Sequence, residues 1–224
     1  MNVTEAVLSR RSVRAFTEQP VAAELVRDIL DKARWAPSGC NFQPWEATVL
    51  TGEPLRALQE VLIAARPDEP LEYRFDKPNA SPRHLARLKE VGARRFAALG
   101  VERGDSAERD RFTRQNLTSF GAPVLILSHF PKLVGEPQWA DVGMWLQTIM
   151  LLAREAGLDT CPQEFLGLYG RTIKDHLGLS EDTMLFCGLA LGYRDAAAPV
   201  NTFDRPRVEL EEQVCFLGFE TIPA

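Results

Sequence analysis

The stretch Ser9-Arg10-Arg11-Ser12-Val13-Arg14-Ala15-Phe16 stands near the start of the chain, directly after a short apolar periodic run. It places three arginines and two serines within six residues. Arginine presents a planar fork of donors that fits a phosphate or a carboxylate. A solvated basic turn explains the same pattern, because cations are mildly favoured at a helix C-terminus. On this stretch alone the basic turn is the favoured interpretation, and an anion site is the alternative.

The whole chain has the composition of an ordinary globular protein. It has 224 residues, 45% of them hydrophobic and 25% charged, with a net charge of −5. That charge excludes a global basic field for nucleic acid. No apolar run reaches the roughly 18 residues that cross a bilayer, and the first residues lack the features of a signal peptide. We therefore expect a cytoplasmic protein with neither a membrane nor a nucleic acid as partner.

The four cysteines show no metal-binding pattern. Cys40, Cys161, Cys187 and Cys215 contain no CxxC spacing, and the last three lie in or beside apolar runs. Such cysteines are typical of small buried hydrophobic residues in a reducing compartment. We expect no metal site.

Hydrophobic periodicity predicts a mixture of helices and strands. The predicted helices cover about 4–10, 22–35, 53–65, 82–99, 106–119, 138–157 and 173–177, and the predicted strands cover 46–50, 123–129 and 184–192. Residues 211–219 are expected to form a last strand or an extended arm. The order of elements indicates an α+β or a mixed α/β class. Residues 67–119 read as a variable helical excursion near a substrate pocket, within a single domain that spans 1–224.

A second informative stretch is the loop Trp35-Ala36-Pro37-Ser38-Gly39-Cys40-Asn41-Phe42-Gln43-Pro44-Trp45. Its two prolines and its glycine indicate an extended connection between a helix and a strand. The amide and hydroxyl groups of the loop either face a planar heterocycle or satisfy the local backbone, and the sequence leaves both possibilities open. Two later stretches add to the pattern: Cys161-Pro162-Gln163-Glu164-Phe165, and the basic Arg205-Pro206-Arg207.

The motifs of several common enzyme classes are missing. There is no GxSxG, HExxH, GxGxxG or GxxxxGK[ST], and the three histidines are far apart. A protein with so little acid–base or nucleophilic equipment can take its chemistry from a cofactor. The arginines at 10–14 and 205–207 could then grip one phosphate together.

Four landmarks in order make the chain resemble the bacterial nitroreductase family of flavin enzymes over nearly its whole length. They are Arg10 to Arg14, Ala36-Pro37-Ser38 through Trp45, Gly157-Leu158-Asp159 with Pro162-Gln163-Glu164, and Gly192-Tyr193 followed by Arg205-Pro206-Arg207. The resemblance implies an α+β fold with a central, mostly antiparallel sheet flanked by helices. It also implies a homodimer with the long helix in the interface and the C-terminal segment extended onto the partner. Each dimer would hold two FMN molecules.

The resemblance also assigns residues to the FMN. Arg10, Ser12 and Arg207 would hold the phosphate, with Arg11 and Arg205 close by, and Arg14 would approach the pyrimidine edge of the flavin. The loop residues would reach the FMN of the partner subunit, and the ring would be lined by polar side chains. The full set of implied cofactor-binding residues is Arg10, Arg11, Ser12, Arg14, Pro37, Ser38, Asn41, Asn116, Gln163, Glu164, Arg205 and Arg207.

The implied reaction is ping-pong. NADPH or NADH would reduce the FMN, and a small aromatic electron acceptor, a nitroaromatic compound or a quinone, would then be reduced in the same space. No catalytic side chain is implied. Another flavin reductase of similar fold (an enoate reductase or a dehalogenase) and a non-catalytic FMN-binding or redox-sensing protein are the alternatives. Many relatives have glycine where Phe165 stands, and we expect Phe165 to narrow the pocket over the flavin.

Overall fold

The structure is a computed structural model that describes residues 1–74 and 81–219. The α-helices are α1 (Val3–Ser9), α2 (Ala23–Ala33), α3 (Gly52–Ala64), α4 (Pro82–Ala98), α5 (Ser106–Arg114), α6 (Glu136–Glu155) and α7 (Gly170–Leu177). The strands are β1 (Glu46–Thr51), β2 (Val124–Pro131), β3 (Asp159–Gln163) and β4 (Thr183–Gly192). Short 3-10 helices cover Gly39–Asn41, Gln115–Gly121, Glu164–Tyr169, Pro199–Asn201 and Leu210–Glu212. In this part of the chain, no helix is both long and apolar enough to cross a membrane.

The strands form one sheet in the order β1-β2-β4-β3, and each neighbouring pair is antiparallel. The predicted α+β class with a central antiparallel sheet is confirmed. Strand β3 was not predicted, because Asp159, Thr160 and Pro162 interrupt its apolar pattern. It lies at an edge of the sheet, where a proline is tolerated because one side of the strand needs no ladder hydrogen bonds.

Helices cover both faces of the sheet. On one face α2 and α6 build the largest core cluster, which includes Ile29, Trp145, Ile149 and Leu189. On the other face α3 and α7 pack over β2 and β4 through Leu58, Leu125 and Ile173. Helix α6 buries one face, with Val142, Trp145, Ile149 and Ala153 in the core, but Met144 of its apolar half is 40% exposed. The all-round burial that its apolar sequence predicts is therefore incomplete in this chain.

The N-terminal stretch closes the free edge of β3. Ser12 forms an isolated parallel bridge with Thr160, and the Val13 N–H donates to the Thr160 carbonyl at 2.9 Å. Val13 is fully buried by this contact. Since an open strand edge offers unpaired backbone groups, this pairing satisfies part of the edge and fixes the arginines on either side of Val13.

A strap of residues 68–74 ties the first half of the chain to α7 and β4. The Asp68 carboxylate accepts hydrogen bonds from the Arg171 N–H and the Thr172 hydroxyl, both at 2.8 Å, and so caps α7. The Tyr73 hydroxyl donates to the Phe186 carbonyl at 2.8 Å. The strap also contacts the 3-10 helix Glu164–Tyr169, which directly precedes α7, because the Asp68 N–H donates to the Leu168 carbonyl at 2.8 Å.

The strap also buries an ion pair. Lys174 Nζ lies 2.5 Å from Glu72 Oε1, and the two side chains are 1% and 5% exposed. Lys132 approaches the same oxygen at 3.0 Å. The charges of Lys174 and Glu72 are shielded from water, so each needs the other as its counter-charge.

The differences from the predicted elements lie mainly at chain ends and turns. The helix expected over 106–119 ends at Arg114 and continues as a distorted 3-10 segment in which Ser119 and Phe120 have positive φ angles of 53° and 55°. A last strand over 211–219 is wrong: one 3-10 turn at Leu210–Glu212 is followed by irregular chain. Residues 75–80 of the predicted excursion lie outside the described residues.

Candidate functional site

Four predicted arginines come together where the N-terminal and C-terminal segments meet. We call Arg10, Arg11, Arg205 and Arg207 the arginine cluster. Arg11 donates to the Phe203 carbonyl, and its guanidinium lies 5.8 Å from the Phe203 ring centroid. Arg205 donates to the carbonyls of Arg10 and Leu8, the latter at 3.1 Å. Arg11 and Arg205 thus join the two segments of the chain.

The other two members of the arginine cluster keep their donors available. In the described part of the chain, Arg207 donates only to its neighbour's carbonyl, that of Pro206, at 3.0 Å. Within residues 1–74 and 81–219, the Arg10 side chain has neither a hydrogen bond nor an ion pair. Burial, followed by the charges of Arg205 and Arg207, lowers the pKa of Arg10. Asp204 partly offsets the charges of Arg11 and Arg205, but four arginines this close leave an excess of positive charge around Arg10 that favours an anion.

Arg14 is held in place by a buried asparagine that the sequence reasoning missed. Asn201 is 2% exposed, and its Oδ1 accepts from the Arg14 N–H at 2.9 Å. Its Nδ2 donates to the carbonyls of Ala15 and Asp195 at 2.8 and 2.9 Å. No sequence signal marks this role, because Asn201 lies in an irregular stretch without a motif. It fixes the backbone from which Arg14 projects.

We predict that Asn201→Ala lowers the free energy of unfolding by about 2–3 kcal/mol, because it leaves buried backbone groups without partners. Urea unfolding followed by circular dichroism measures this effect. The control is Thr202→Ala, since the Thr202 hydroxyl is exposed and bonds only the Pro199 carbonyl. Equal unfolding midpoints for the two variants would contradict the role given to Asn201.

The structure also brings Gln163 and Asn116 together. Gln163 Nε2 donates to the Asn116 carbonyl at 2.8 Å and approaches Asn116 Oδ1 at 3.3 Å. Gln163 ends β3 and is 1% exposed, and Glu164 begins the next 3-10 helix. Asn116 and Gln163 therefore form one polar pair at the end of β3 opposite to the end that pairs with Ser12. Glu164 follows directly but is exposed, and its charge acts on Tyr73 and Cys187.

The predicted loop residues Pro37, Ser38 and Asn41 are not brought to the arginine cluster. The Gly39 N–H donates to both Asp141 oxygens at 3.2 Å, which ties the loop to the first half of α6. The arginine stretch contacts the last turn of the same helix, where Arg154 bonds Ser9 Oγ at 3.3 Å. These two points are about 20 Å apart along α6. Asp141, which orders the loop, was also missed, because a lone aspartate in a helix carries no signal.

Phe165 packs inwards against the leucine-rich cluster under α3 and α7, with its ring 6.0 Å from that of Tyr169. The side chain is half-buried. Its expected effect on the width of a pocket stays a prediction. His129 is held as a core residue: its Nε2 lies 3.1 Å from the Thr48 hydroxyl, and burial lowers its pKa.

Comparison with known proteins gives a consistent result. Residues 7–193 match the profile described as "Nitroreductase family". The chain is 38% identical over 215 residues to the 4-nitrobenzoate reductase of Pseudomonas putida, covering 96% of this chain and 95% of that protein. It is 33% identical over 219 residues to the nitrobenzene nitroreductase of Ectopseudomonas oleovorans, covering 96% of each.

A solved structure agrees in fold. The FMN and NADPH-dependent nitroreductase NfnB from sphigopyxis sp. strain HMH superposes with a TM-score of 0.93 at 44% sequence identity. The match covers 98% of this chain and 100% of that one.

Proposed function

The chain belongs to the nitroreductase family, and from this membership we propose that it is an FMN-dependent oxidoreductase that uses NAD(P)H to reduce nitroaromatic compounds. The observation that carries the proposal within this chain is the excess positive charge of the arginine cluster around Arg10. Its two available members, Arg10 and Arg207, lie almost two hundred residues apart in the sequence and interact with each other in the fold.

The residues present fit an FMN phosphate. A phosphate monoester carries close to two negative charges and several acceptor oxygens, and guanidinium groups match both properties. The lowered pKa of Arg10, caused by burial and then by Arg205 and Arg207, is relieved by an anion at that point. We assign Arg10, Ser12 and Arg207 to the phosphate. Arg11 and Arg205 hold the two chain segments that present them.

The ring would lie further along β3. We assign Arg14 to its pyrimidine edge and Asn116, Gln163 and Glu164 to its flank. Bound FMN supplies the two-electron transfer between the nicotinamide and the nitro group. The chain's own residues bind, orient and place positive charge where negative charge develops. No catalytic side chain is assigned.

We also propose a homodimer in which α6 lies in the interface. Its support is the apolar surface around that helix: Trp35 and Phe42 are 78% and 59% exposed, and their segments flank the loop bound to Asp141. The second support is that the loop contacts α6 at Asp141, about 20 Å along the helix from Arg154, where Ser9 of the arginine stretch is bound. In the dimer, Pro37, Ser38 and Asn41 would reach the FMN of the partner subunit.

The C-terminal segment is proposed to extend onto the partner. Phe216, Leu217 and Phe219 are exposed in this chain. A groove of about 640 Å³, lined by α2 and by Val49 of the edge strand β1, offers an apolar surface of the required kind. An exposed strand edge with apolar walls is a site where a second chain can add.

The remaining parts of the proposal concern range and location. We propose quinones as further acceptors, one domain over residues 1–224 with 67–119 as its excursion near the substrate pocket, and a location in the cytoplasm. The last is supported by the cysteines, since Cys40, Cys161, Cys187 and Cys215 are all free thiols.

The test is to purify the protein with FMN and follow its visible absorbance without oxygen. We expect a yellow protein that bleaches on addition of NADPH or NADH and recovers its colour when nitrobenzene is added. A colourless protein that takes up no FMN would refute the proposal. A yellow protein that does not bleach would support the non-catalytic FMN-binding alternative instead.

A further inference from the structure

A second group of arginines lies on the excursion helices. Arg95 of α4 and Arg109 of α5 stack on the ring of Phe96, with their Cζ atoms 5.0 and 4.4 Å from its centroid. Arg95 also lies 5.4 Å from the centroid of Phe112. Stacking fixes the planes of both guanidinium groups and leaves their edges, which carry the N–H donors, for a ligand.

Neither arginine has an anionic partner in the part of the chain that the structure describes. The Nε atom of each is buried there without a hydrogen bond. Carboxylates are not scarce on these helices, because Arg94 pairs with Glu90 at 2.7 Å and Arg111 pairs with Glu108 at 2.5 Å. The paired arginines are exposed, whereas Arg95 and Arg109 are half-buried. In the described residues, Arg95 and Arg109 therefore lack carboxylate partners because their side chains lie in the interior, away from the exposed carboxylates of these helices.

These two arginines continue the positive charge of the flavin site. Burial, followed by the charge of Arg14, lowers the pKa of Arg95 to about 10. The charge of Arg109 also lowers the pKa of Arg95. Cys161 of β3 lies beside Arg14 and Arg95, and burial raises the pKa of its thiol to about 11, so the thiol supplies no negative charge at neutral pH. Three neighbouring cations without a counter-charge require an anion.

A cavity lies beside this group. It has a volume of about 230 Å³, and Arg14, Phe112 and Gln115 are in its wall. Arg95 and Arg109 are not among its lining residues, but Arg95 borders it through the Phe112 ring, on which its guanidinium stacks. Gln115 directly precedes Asn116, which accepts from Gln163. Sites for drug-sized molecules measure roughly 300–1,000 Å³, so this cavity suits a small acidic group. Glu108 and Arg111 also line it, and they pair with each other.

We propose that Arg95 and Arg109, next to Arg14, bind the carboxylate of an aromatic acid that serves as the electron acceptor. This inference rests on the proposed function and names the substrate class within it: nitrobenzoates in preference to neutral nitrobenzenes. The planar edge of a stacked guanidinium binds a carboxylate through two parallel hydrogen bonds, which gives orientation as well as affinity.

The test compares 4-nitrobenzoate with nitrobenzene in Arg95→Gln and Arg109→Gln holoenzymes. Each substitution is expected to lower kcat/KM for 4-nitrobenzoate by about tenfold or more while leaving kcat/KM for nitrobenzene within about twofold. Arg94→Gln is the matched control, because it removes a neighbouring arginine that is already paired, and it should leave the ratio of the two values unchanged. Benzoate, which accepts no electrons here, should bind the FMN-loaded Arg109→Gln protein at least about tenfold more weakly by isothermal titration calorimetry.

Three results would overturn the inference. An unchanged ratio with unchanged benzoate affinity would show that no carboxylate binds these arginines. Equal losses for both acceptors would show that the arginines act on the flavin or the fold. A change confined to the preference between NADPH and NADH would assign the site to the nucleotide's 2′-phosphate. Failure of the unmodified enzyme to reduce either acceptor is a separate outcome, because it refutes the proposed function itself.

Discussion

An Arg10→Ala/Arg207→Ala variant is expected to fold normally and to lose its FMN. Each charge-assisted hydrogen bond to a phosphate contributes about 1.5–3 kcal/mol, so the two losses together weaken FMN binding by about 10²- to 10⁴-fold. The fold should persist because, within the described residues, the Arg10 side chain bonds nothing and Arg207 bonds only the adjacent Pro206 carbonyl. Removing two mutually repelling charges therefore costs the protein little more than the exposed hydrogen bond from Arg207 to the Pro206 carbonyl. Fluorescence titration of the apoprotein with FMN and thermal melting measure the two effects.

The control for this variant is Arg56→Ala, which removes an exposed arginine paired with Glu53 on α3. It should keep both its flavin and its melting temperature. Unchanged FMN affinity in the double variant would show that the phosphate lies elsewhere. We expect the Arg11→Ala and Arg205→Ala variants to be destabilised, whereas the double variant stays folded without flavin. This difference would distinguish the arginines that bind the phosphate from those that join the two chain segments.

Lys174→Met is expected to be the most destabilising single substitution discussed. It leaves the Glu72 carboxylate, 5% exposed, with Lys132 as its remaining close cation. Breaking a buried ion pair by removing one partner costs about 3–5 kcal/mol. In a chain of this length, that corresponds to a fall in melting temperature of roughly 6–20 °C. Urea unfolding and thermal melting check it.

Two further variants identify the cause. Lys32→Met removes an exposed lysine that pairs with Asp28, and it should leave the melting temperature almost unchanged. Glu72→Leu/Lys174→Met removes both charges and should recover part of the loss, because no unpaired charge then remains buried. The single variants Glu72→Leu and Lys174→Met give the comparison. If the double variant lost as much stability as the two single variants together, packing rather than charge would be the cause.

The parts of the fold that could be predicted from sequence are those with a clear local hydrophobic periodicity. Helix α6 and strands β2 and β4 are apolar runs long enough to identify by themselves. Strand β3 was missed because its stability comes from pairing with β4 and from the bridge to Ser12, contacts that depend on distant residues. The C-terminal segment was equally ambiguous, since within the described residues it pairs with no strand, and its ion pair between Glu212 and Arg87 joins residues far apart in the sequence.

The site divides in the same way. Arginines 10 and 207 could be joined only through a family resemblance, because no local pattern relates the two ends of a chain. Asn201 and Asp141 act through side-chain hydrogen bonds to backbone groups that folding brings near, and such partners leave no trace in sequence spacing. The burial of Lys174 is contrary to expectation, because a lysine on a short helix is usually exposed to solvent. Here its side chain is fully buried and pairs with Glu72 of the strap.

The meeting of the two chain ends at Arg10 and Arg207 has a consequence for biosynthesis. A ribosome synthesises Arg10 almost two hundred residues before Arg207. Until Arg205 has bonded the carbonyls of Leu8 and Arg10, the nascent polypeptide lacks the complete phosphate site that we propose. On that proposal, cofactor loading follows synthesis of the residues after β4, and a translation product that stops before Arg205 would be left without flavin however well its sheet had formed.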